Sequence, residues 1–388
     1  MFFFDFGLSI YFFFFNLFLS SRGYNETQLG LLTSTMAAGN LAGALPAAQL
    51  IQKKGLRNAL MICAFSAPAV LCARALTTSF SIQMALAFAT GLAMCLWAVC
   101  ISPAIAAITT ERERPLAFSL VFSLGIGMGA AGALAGSRMP GWFSGHGTGA
   151  AALLRPDQLT LIASCCIAAL ALIPAMRLRK YQTAVPPRPG MLSSPAMRRI
   201  LPAIAIWGLV SGSFLPFGNV FLSVHLRLPL HSVGSVFSIS QLFQVAAVLT
   251  APLVFRRFGV SNGVFTMQMA TASCFMLLAL MVHPLAASMV YVGLTGMQFM
   301  GEPGIYSMMM QIVPEESRAR ASASMALVLA AAQLIAAAAA GWTFTNLGYP
   351  RALGIIGTIA VGAAFLFKAV GHAQTAPLVP CTSESQVQ

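Results

Sequence analysis

Charged side chains are scarce in this chain, and acidic ones are the scarcest. Of its 388 residues, 8% are charged and only nine are Asp or Glu, whereas soluble domains carry roughly 25% charged residues. A soluble fold with so few charges could not cover its surface with polar groups. Because 58% of the residues are hydrophobic and the mean hydropathy is +0.82, the composition excludes an ordinary soluble protein and predicts one embedded in lipid.

Motifs for catalysis, metal binding and disulfide bonding are also missing. The eight cysteines include no CxxC pair, and all but Cys381 lie in apolar runs, where they read as small core side chains. The sequence has no GxSxG motif, no phosphate-binding glycine loop and no histidine cluster with metal-ligand spacing. We therefore expect neither an enzyme nor a metal or cofactor site.

The net charge of +13 lies mainly in short loops between apolar runs. This is the pattern of a polytopic membrane protein and argues against nucleic acid as a partner. A membrane-spanning helix needs about 20 apolar residues, and the chain is divided into twelve such runs. The predicted spans are residues 2–20, 29–51, 58–77, 82–110, 115–137, 158–176, 200–223, 232–254, 261–282, 285–312, 321–341 and 350–369.

The basic residues also predict the orientation in the membrane. If the amino terminus is cytoplasmic, 16 of the 22 Lys and Arg residues lie on the cytoplasmic side. Cytoplasmic loops are enriched in these residues, so we predict a multi-pass protein of the cytoplasmic (inner) membrane with both termini in the cytoplasm. The basic residues left on the outer side are Arg22, Arg74, Arg138, Arg155, Arg227 and Arg351.

An internal repeat divides the spans into two similar halves. Residues 16–20 (NLFLS) reappear as residues 219–223 (NVFLS), and the loop at 52–58 reappears at 256–262. An even number of spans separates the copies, so the repeat is parallel. The predicted organisation is an amino-terminal six-helix bundle (1–176), a basic, proline-rich cytoplasmic linker (177–199), a second six-helix bundle (200–369) and a disordered tail (370–388).

The loop after the second span resembles the signature of the major facilitator superfamily, roughly G-x-x-x-D-[RK]-x-G-[RK]-[RK]. Lys53, Gly55 and Arg57 match it, whereas Gln52 stands at the position of the acid, and the leading glycine and one basic position are also replaced. In the family this loop braces one of the two alternating states. The copy in the second half consists of Arg256, Arg257 and Gly259.

The resemblance covers essentially the whole chain and implies an all-α membrane protein with twelve transmembrane helices in two parallel-repeat six-helix bundles. It implies a permease whose two bundles rock around a central site. The expected partners are membrane lipid, a small-molecule solute and protons, with a monomer as the functional unit. The chain lacks the helix 4 arginine of many proton-coupled members and the helix 5 Gly-Pro pair of drug antiporters, so the subfamily stays open.

Glu302 is the most deeply placed acidic residue in the predicted spans. No basic residue shares its span, and a carboxylate at that depth costs about 2.5–3.5 kcal/mol on insertion scales. An apolar environment without a cationic partner favours a protonated carboxyl group, which suits a proton carrier. Alternatively, Glu302 caps broken backbone or bonds a neighbouring helix without contacting the solute. Asp5, the other acid within a span, is the second candidate for proton coupling.

Polar and aromatic residues near mid-span are predicted to line the central cavity, although each is also explained by packing alone. The near absence of buried Lys or Arg argues against a phosphate or polycarboxylate solute. We therefore predict a neutral, amphiphilic or weakly cationic solute. An uncoupled facilitator, a lipid-type flippase and a non-transporting receptor remain alternatives. The candidate binding residues are Asn40, Trp97, Trp207, Phe217, Gln241, Gln244, Gln298, Tyr306 and Gln333.

Overall fold

The structure, a computed structural model, is almost entirely helical in the residues that it describes. Helices are the expected form, because lipid offers the backbone no hydrogen-bond partners. Residues 179–194 of the predicted linker and 376–388 of the predicted tail lie outside the described residues. The described residues are 2–110, 113–144, 155–178, 195–313 and 318–375.

The first half contains one helix for each of the six spans predicted there, with the sixth divided into two pieces by a turn. A capping box begins the second helix, since Asn25 Oδ1 accepts from the Gln28 backbone and Gln28 Oε1 accepts from the Asn25 backbone. The helices are α1 (Phe2–Ser21), α2 (Glu26–Lys54), α3 (Leu56–Leu76), α4 (Phe80–Ile108), α5 (Arg114–Phe143), α6 (Pro156–Ala169) and α7 (Leu172–Arg177).

The second half likewise follows the six spans predicted for it. Gly348, with a φ of 76°, interrupts the last helix and divides it into two segments. The elements are α8 (Pro195–Phe214), a 3₁₀ turn (Leu215–Phe217), α9 (Gly218–Val220), a π-helical turn (Phe221–His225), α10 (Leu230–Phe258), α11 (Val260–Leu280), α12 (Pro284–Ile312) and α13 (Arg318–Thr375).

Eight stretches among the described residues are long and apolar enough to cross a membrane. The longest, Ala321–Gly371, contains 51 residues and includes the break at Gly348. Helices α2, α5 and α12 do not meet that criterion. Together with the break in α13, these three helices account for the remaining predicted spans.

The predicted repeat is visible in the backbone at two glycines. Gly55 joins α2 to α3 with φ 80° and ψ 161°, and Gly259 joins α10 to α11 with φ 76° and ψ 160°. Residues with a side chain rarely adopt a positive φ, so glycine suits both positions. The same turn therefore occurs at equivalent places in the two halves, as the predicted repeat requires.

Helices α2 and α4 approach each other through glycine. A Cβ atom added to Gly91 would lie 2.6 Å from the Asn40 backbone nitrogen and 2.9 Å from the Gly39 carbonyl carbon. Such distances cannot be accommodated without moving one helix away from the other. Small residues at helix interfaces in membranes permit this close backbone packing.

Gly91→Ala is expected to destabilise the protein by about 1–3 kcal/mol, because the added methyl group overpacks the α2–α4 contact. The matched control is Gly362→Ala, since a Cβ atom at Gly362 meets nothing within 4 Å. The control should be neutral or stabilising by up to about 1 kcal/mol, through helix propensity alone. Unfolding of the two purified variants in detergent checks the opposite signs, and equal destabilisation would contradict the packing.

Candidate functional site

A cavity of about 640 Å³ lies between the two halves of the molecule. Helices α1 to α5 line it from the first half, and the segment around α9 together with α10 and α12 lines it from the second. Its volume is within the range of sites for small organic molecules. The wall is largely apolar and aromatic, with Phe12, Phe15, Phe237, Tyr291 and Phe299 among its residues.

Four of the predicted site residues line this cavity, namely Asp5, Trp97, Gln241 and Gln244. Asp5 Oδ2 is buried and accepts no hydrogen bond from any residue that the structure describes. The Trp97 ring packs against Phe4 with a centroid distance of 4.5 Å. Asp5 and the two glutamines come from α1 and α10, so the cavity combines polar groups from both halves.

Glu302 lies outside the residues that line the cavity. Its Oε1 accepts a hydrogen bond from Nε1 of the buried Trp207 at 3.4 Å, which joins α12 to α8. The sequence predicted either a Glu302 without a cationic partner or one that bonds a neighbouring helix, and Trp207 is a neutral partner on a neighbouring helix. Gln298, one turn earlier on α12, is buried, whereas Tyr306, one turn later, is 42% exposed.

The other predicted binding residues also lie away from the cavity wall. Phe217 is fully buried and contacts the Phe344 ring at a centroid distance of 5.1 Å. Asn40 and Gln333 are exposed, and Gln333 donates a 3.4 Å hydrogen bond to Ser211 Oγ. The contacts of Phe217 and Gln333 are helix-packing contacts in this conformation.

Arg74 is a cavity residue that sequence reasoning missed. It was assigned to the outer side of the membrane because it ends a predicted span, yet its side chain is only 3% exposed and lines the cavity. Its Nε donates to Gln83 Oε1 at 3.1 Å, and its guanidinium carbon lies 4.4 Å from the centre of the Phe15 ring. Arg74 is therefore an exception to the predicted near absence of buried basic residues, and it lies in the cavity wall.

The predicted conformational loops lie at the ends of α2 and α10. Arg57 Nη2 donates a 2.6 Å hydrogen bond to the Met176 carbonyl, so α3 is tied to α7. Lys53 is exposed. Arg256 and Arg257 of the second copy are also exposed. The side chain of Gln52 lies outside the described residues.

The two halves meet at the end of the molecule where α2 begins, here called the Asn25 end. Thr27 Oγ1 of α2 lies 2.9 Å from Thr345 Oγ1 of α13, and Tyr349 donates a 3.3 Å hydrogen bond to Glu26. All hydrogen bonds between the halves for which the structure describes both partners lie in the parts of the helices toward this end. The cavity is therefore closed at the Asn25 end.

The repeated asparagines form a symmetric pair of contacts between the halves. Asn16 Nδ2 donates to the Pro216 carbonyl, and Asn219 Nδ2 donates to the Phe13 carbonyl, each at 2.7 Å. Donors and acceptors are each separated by 203 positions, so the two bonds are equivalent under the internal repeat. The sequence repeat identified both asparagines. The structure shows that they line the cavity and join the two halves there.

Backbones from the two halves also touch at the Asn25 end. A Cβ atom added to Gly341 of α13 would lie 3.1 Å from the Gly30 Cα atom of α2 and still closer to the Glu26 carbonyl oxygen. The absence of side chains at both glycines permits this approach. The closed end is thus held by backbone packing as well as by hydrogen bonds.

A family model described as the Major Facilitator Superfamily matches residues 1–301. A comparison with curated protein sequences gave no significant match.

Three solved structures illustrate the similarity in fold. A bacterial homologue of the human lysosomal transporter Spinster, in an inward-facing and unoccupied conformation, has a TM-score of 0.76 at 12% identity, covering 95% of this chain and 94% of that one. The nucleoside transporter NupG has a TM-score of 0.74 at 14% identity, with coverages of 95% and 96%. The xylose transporter XylE from E. coli, inward open, has a TM-score of 0.70 at 14% identity, with coverages of 94% and 93%.

The family match extends over more than half of the chain and agrees with its helical architecture. Identities of 12–14% relate the folds and say nothing of the solute. The chain belongs to the major facilitator superfamily, and this membership points to a multi-pass membrane transporter rather than an enzyme.

Proposed function

We propose that the chain is a secondary active transporter that moves a small organic solute across the cytoplasmic membrane by alternating access. The main support is the cavity at the junction of the two halves, closed at the Asn25 end by contacts that join the halves. Rocking of the halves would break these contacts and open the cavity toward that end. Transport therefore needs no chemical step, only differential exposure of the cavity.

The orientation proposed from the basic loops places both termini in the cytoplasm. The Asn25 end then faces the outside, and the cavity is closed to the outside in this structure. The described conformation would accordingly be the inward-facing one.

Proton coupling is proposed to use the two acids of the spans. Asp5 lies in the cavity wall with an unbonded carboxyl oxygen, and the other ionisable cavity residues are Arg74 and Tyr291. Glu302 accepts a hydrogen bond from Trp207, and the other titratable side chains on its helix are Tyr291 and Tyr306. Both acids are partly buried, where the neutral form avoids the cost of desolvating a charge.

The solute is proposed to have an apolar body, because aromatic and aliphatic side chains dominate the cavity wall. Amide groups of Gln241 and Gln244 add hydrogen-bonding capacity from α10. An amphiphilic solute matches this combination. The wall also contains one cationic side chain, that of Arg74.

Uptake of candidate solutes into proteoliposomes tests the coupling. A gradient of one pH unit supports up to about tenfold accumulation through one coupled proton. We expect Glu302→Gln to abolish that accumulation while solute exchange at equal pH continues. Asp5→Asn is tested in parallel, because either acid is a candidate carrier.

Each alternative function has its own result in this assay. Normal gradient-driven accumulation by Glu302→Gln would remove Glu302 from the coupling. Equilibration that ignores the gradient in wild-type protein would identify an uncoupled facilitator or a lipid-type flippase. Solute binding without flux would identify a receptor with the transporter fold.

A further inference from the structure

Arg74 has the features of a solute-binding residue. No other Lys or Arg among the described residues lines the cavity, and Asp5 is the acid found there. Burial of a guanidinium group removes most of its hydration, which is costly unless other groups compensate. At 3% exposure, Arg74 has lost nearly all of its contact with solvent.

The contacts of Arg74 leave part of its guanidinium unused. Its Nε bonds to Gln83 Oε1, and Gln83 Nε2 in turn bonds to the backbone carbonyls of Arg74 at 2.7 Å and Thr77 at 3.0 Å. The Phe15 ring covers one side of the guanidinium. The two terminal nitrogens, Nη1 and Nη2, donate no hydrogen bond to any residue that the structure describes. Gln83 and Phe15 therefore hold the group in place while its outer donors stay free.

We infer that Arg74 binds the carboxylate of the transported solute, which is a monocarboxylate with an apolar body. A guanidinium presents parallel N–H donors that match the two oxygens of a carboxylate. One cation in the wall balances one negative charge, whereas a phosphate dianion or a dicarboxylate would need more. The inference rests on the proposed function for the transport step and revises the solute charge predicted from the sequence.

The position of Asp5 is compatible with such a solute. Asp5 and Phe15 are ten residues apart on α1, which corresponds to about 15 Å along the helix. A carboxylate held by Arg74 beside Phe15 therefore lies far from the like charge of Asp5. The apolar body of the solute would occupy the aromatic part of the cavity around Phe12, Phe237 and Tyr291.

A purely structural role is the competing explanation, because Arg74 also links the end of α3 to Gln83 at the start of α4. The two roles predict different effects on ligand binding when Arg74 is replaced. A structural arginine affects every compound equally when it is removed. A binding arginine affects carboxylates and leaves their neutral analogues unchanged.

The experiment measures binding to the purified full-length chain with three matched sets of probes. Each of 3-phenylpropanoate, 4-phenylbutanoate and octanoate is compared with its amide and its amine. We expect at least one carboxylate to bind about tenfold or more tighter than its amide. In Arg74→Gln, the affinity for that carboxylate should fall about 10- to 100-fold, as expected for the loss of a charge-assisted bidentate contact. The affinity for the amide should be unchanged.

Arg74→Lys provides a second test, because it retains the charge and loses the planar fork. It should bind the carboxylate about 5- to 10-fold more weakly than wild type, and it serves alone if Arg74→Gln does not fold. The inference is overturned if no carboxylate binds better than its amide, or if the variants weaken amide and carboxylate alike.

Flux measurements with the same probes separate the two proposals. If a carboxylate binds through Arg74 but is not transported, the result would support the proposed binding site and contradict the proposed transport function. Gradient-driven transport of an amine or amide, with no carboxylate preference, would leave transport standing and remove the role of Arg74.

Discussion

Oxidation of a protein carrying both Thr27→Cys and Thr345→Cys is expected to lower transport at least tenfold, and reduction to restore it. The two hydroxyl oxygens lie 2.9 Å apart, on α2 and α13 of different halves. Disulfides require Cβ atoms about 3.5–4.5 Å apart, a separation that neighbouring threonines in hydrogen-bond contact can adopt. A covalent link at this point prevents the Asn25 end from opening, so the cavity cannot reach that side of the membrane.

Flux into proteoliposomes before and after dithiothreitol measures the effect. Each single cysteine variant is the matched control, because the chain has eight cysteines of its own. The described cysteines lie within helices, away from this contact, so oxidation of the single variants should change transport little. The cross-linked protein should still bind solute that enters from the side opposite the Asn25 end. Full transport by a completely cross-linked protein would show that this end need not open.

Most of the fold was predictable because the membrane leaves few choices. Apolar runs of about 20 residues in lipid must be helices, and all twelve predicted spans are helical in the structure. Glycine at positions 55 and 259 was predicted as a repeated loop, and both residues have the same positive-φ conformation. The lipid environment requires helices on either side of these positions, and glycine permits the turn between them, so both favour the observed structure.

The candidate site was less predictable, because hydropathy reports depth in the membrane and not the rotation of a helix. Gln241 and Gln244 line the cavity, while Gln333, which has the same chemistry at a similar depth, is exposed. Which side of a helix faces the cavity depends on its neighbours. Glu302 illustrates the point, because its hydrogen-bond partner Trp207 comes from a helix 95 positions earlier.

Arg74 was missed for a related physical reason. A basic residue in the last turn of a span can extend its head group to the membrane surface, and sequence position alone favours that reading. The structure instead turns the guanidinium inward, where Gln83 and Phe15 hold it. The polar pair Arg74 and Gln83, on either side of a short interhelical loop, was the available signal.

Gly341→Leu is expected to lower transport at least tenfold by the opposite route, since it prevents the Asn25 end from closing. A Cβ atom alone would lie 3.1 Å from the Gly30 Cα atom and closer still to the Glu26 carbonyl. Overpacking of this kind costs about 1–3 kcal/mol, and every 1.4 kcal/mol shifts an equilibrium about tenfold. The cost applies only to the closed state, so the protein should accumulate in the state open at this end.

The matched control is Gly354→Leu in the segment of α13 that follows the break at Gly348, because a Cβ atom there meets nothing within 4 Å. Transport by the control should stay within about twofold of wild type, as for a substitution that leaves both states equally stable. A cysteine introduced at Thr345 should react faster with a membrane-impermeant maleimide in Gly341→Leu than in Gly354→Leu. The cross-link holds the Asn25 end closed and Gly341→Leu holds it open, so the two changes should stop transport in opposite states. Equal labelling rates in the two leucine variants would mean that contact between Gly30 and Gly341 does not govern closure of the cavity.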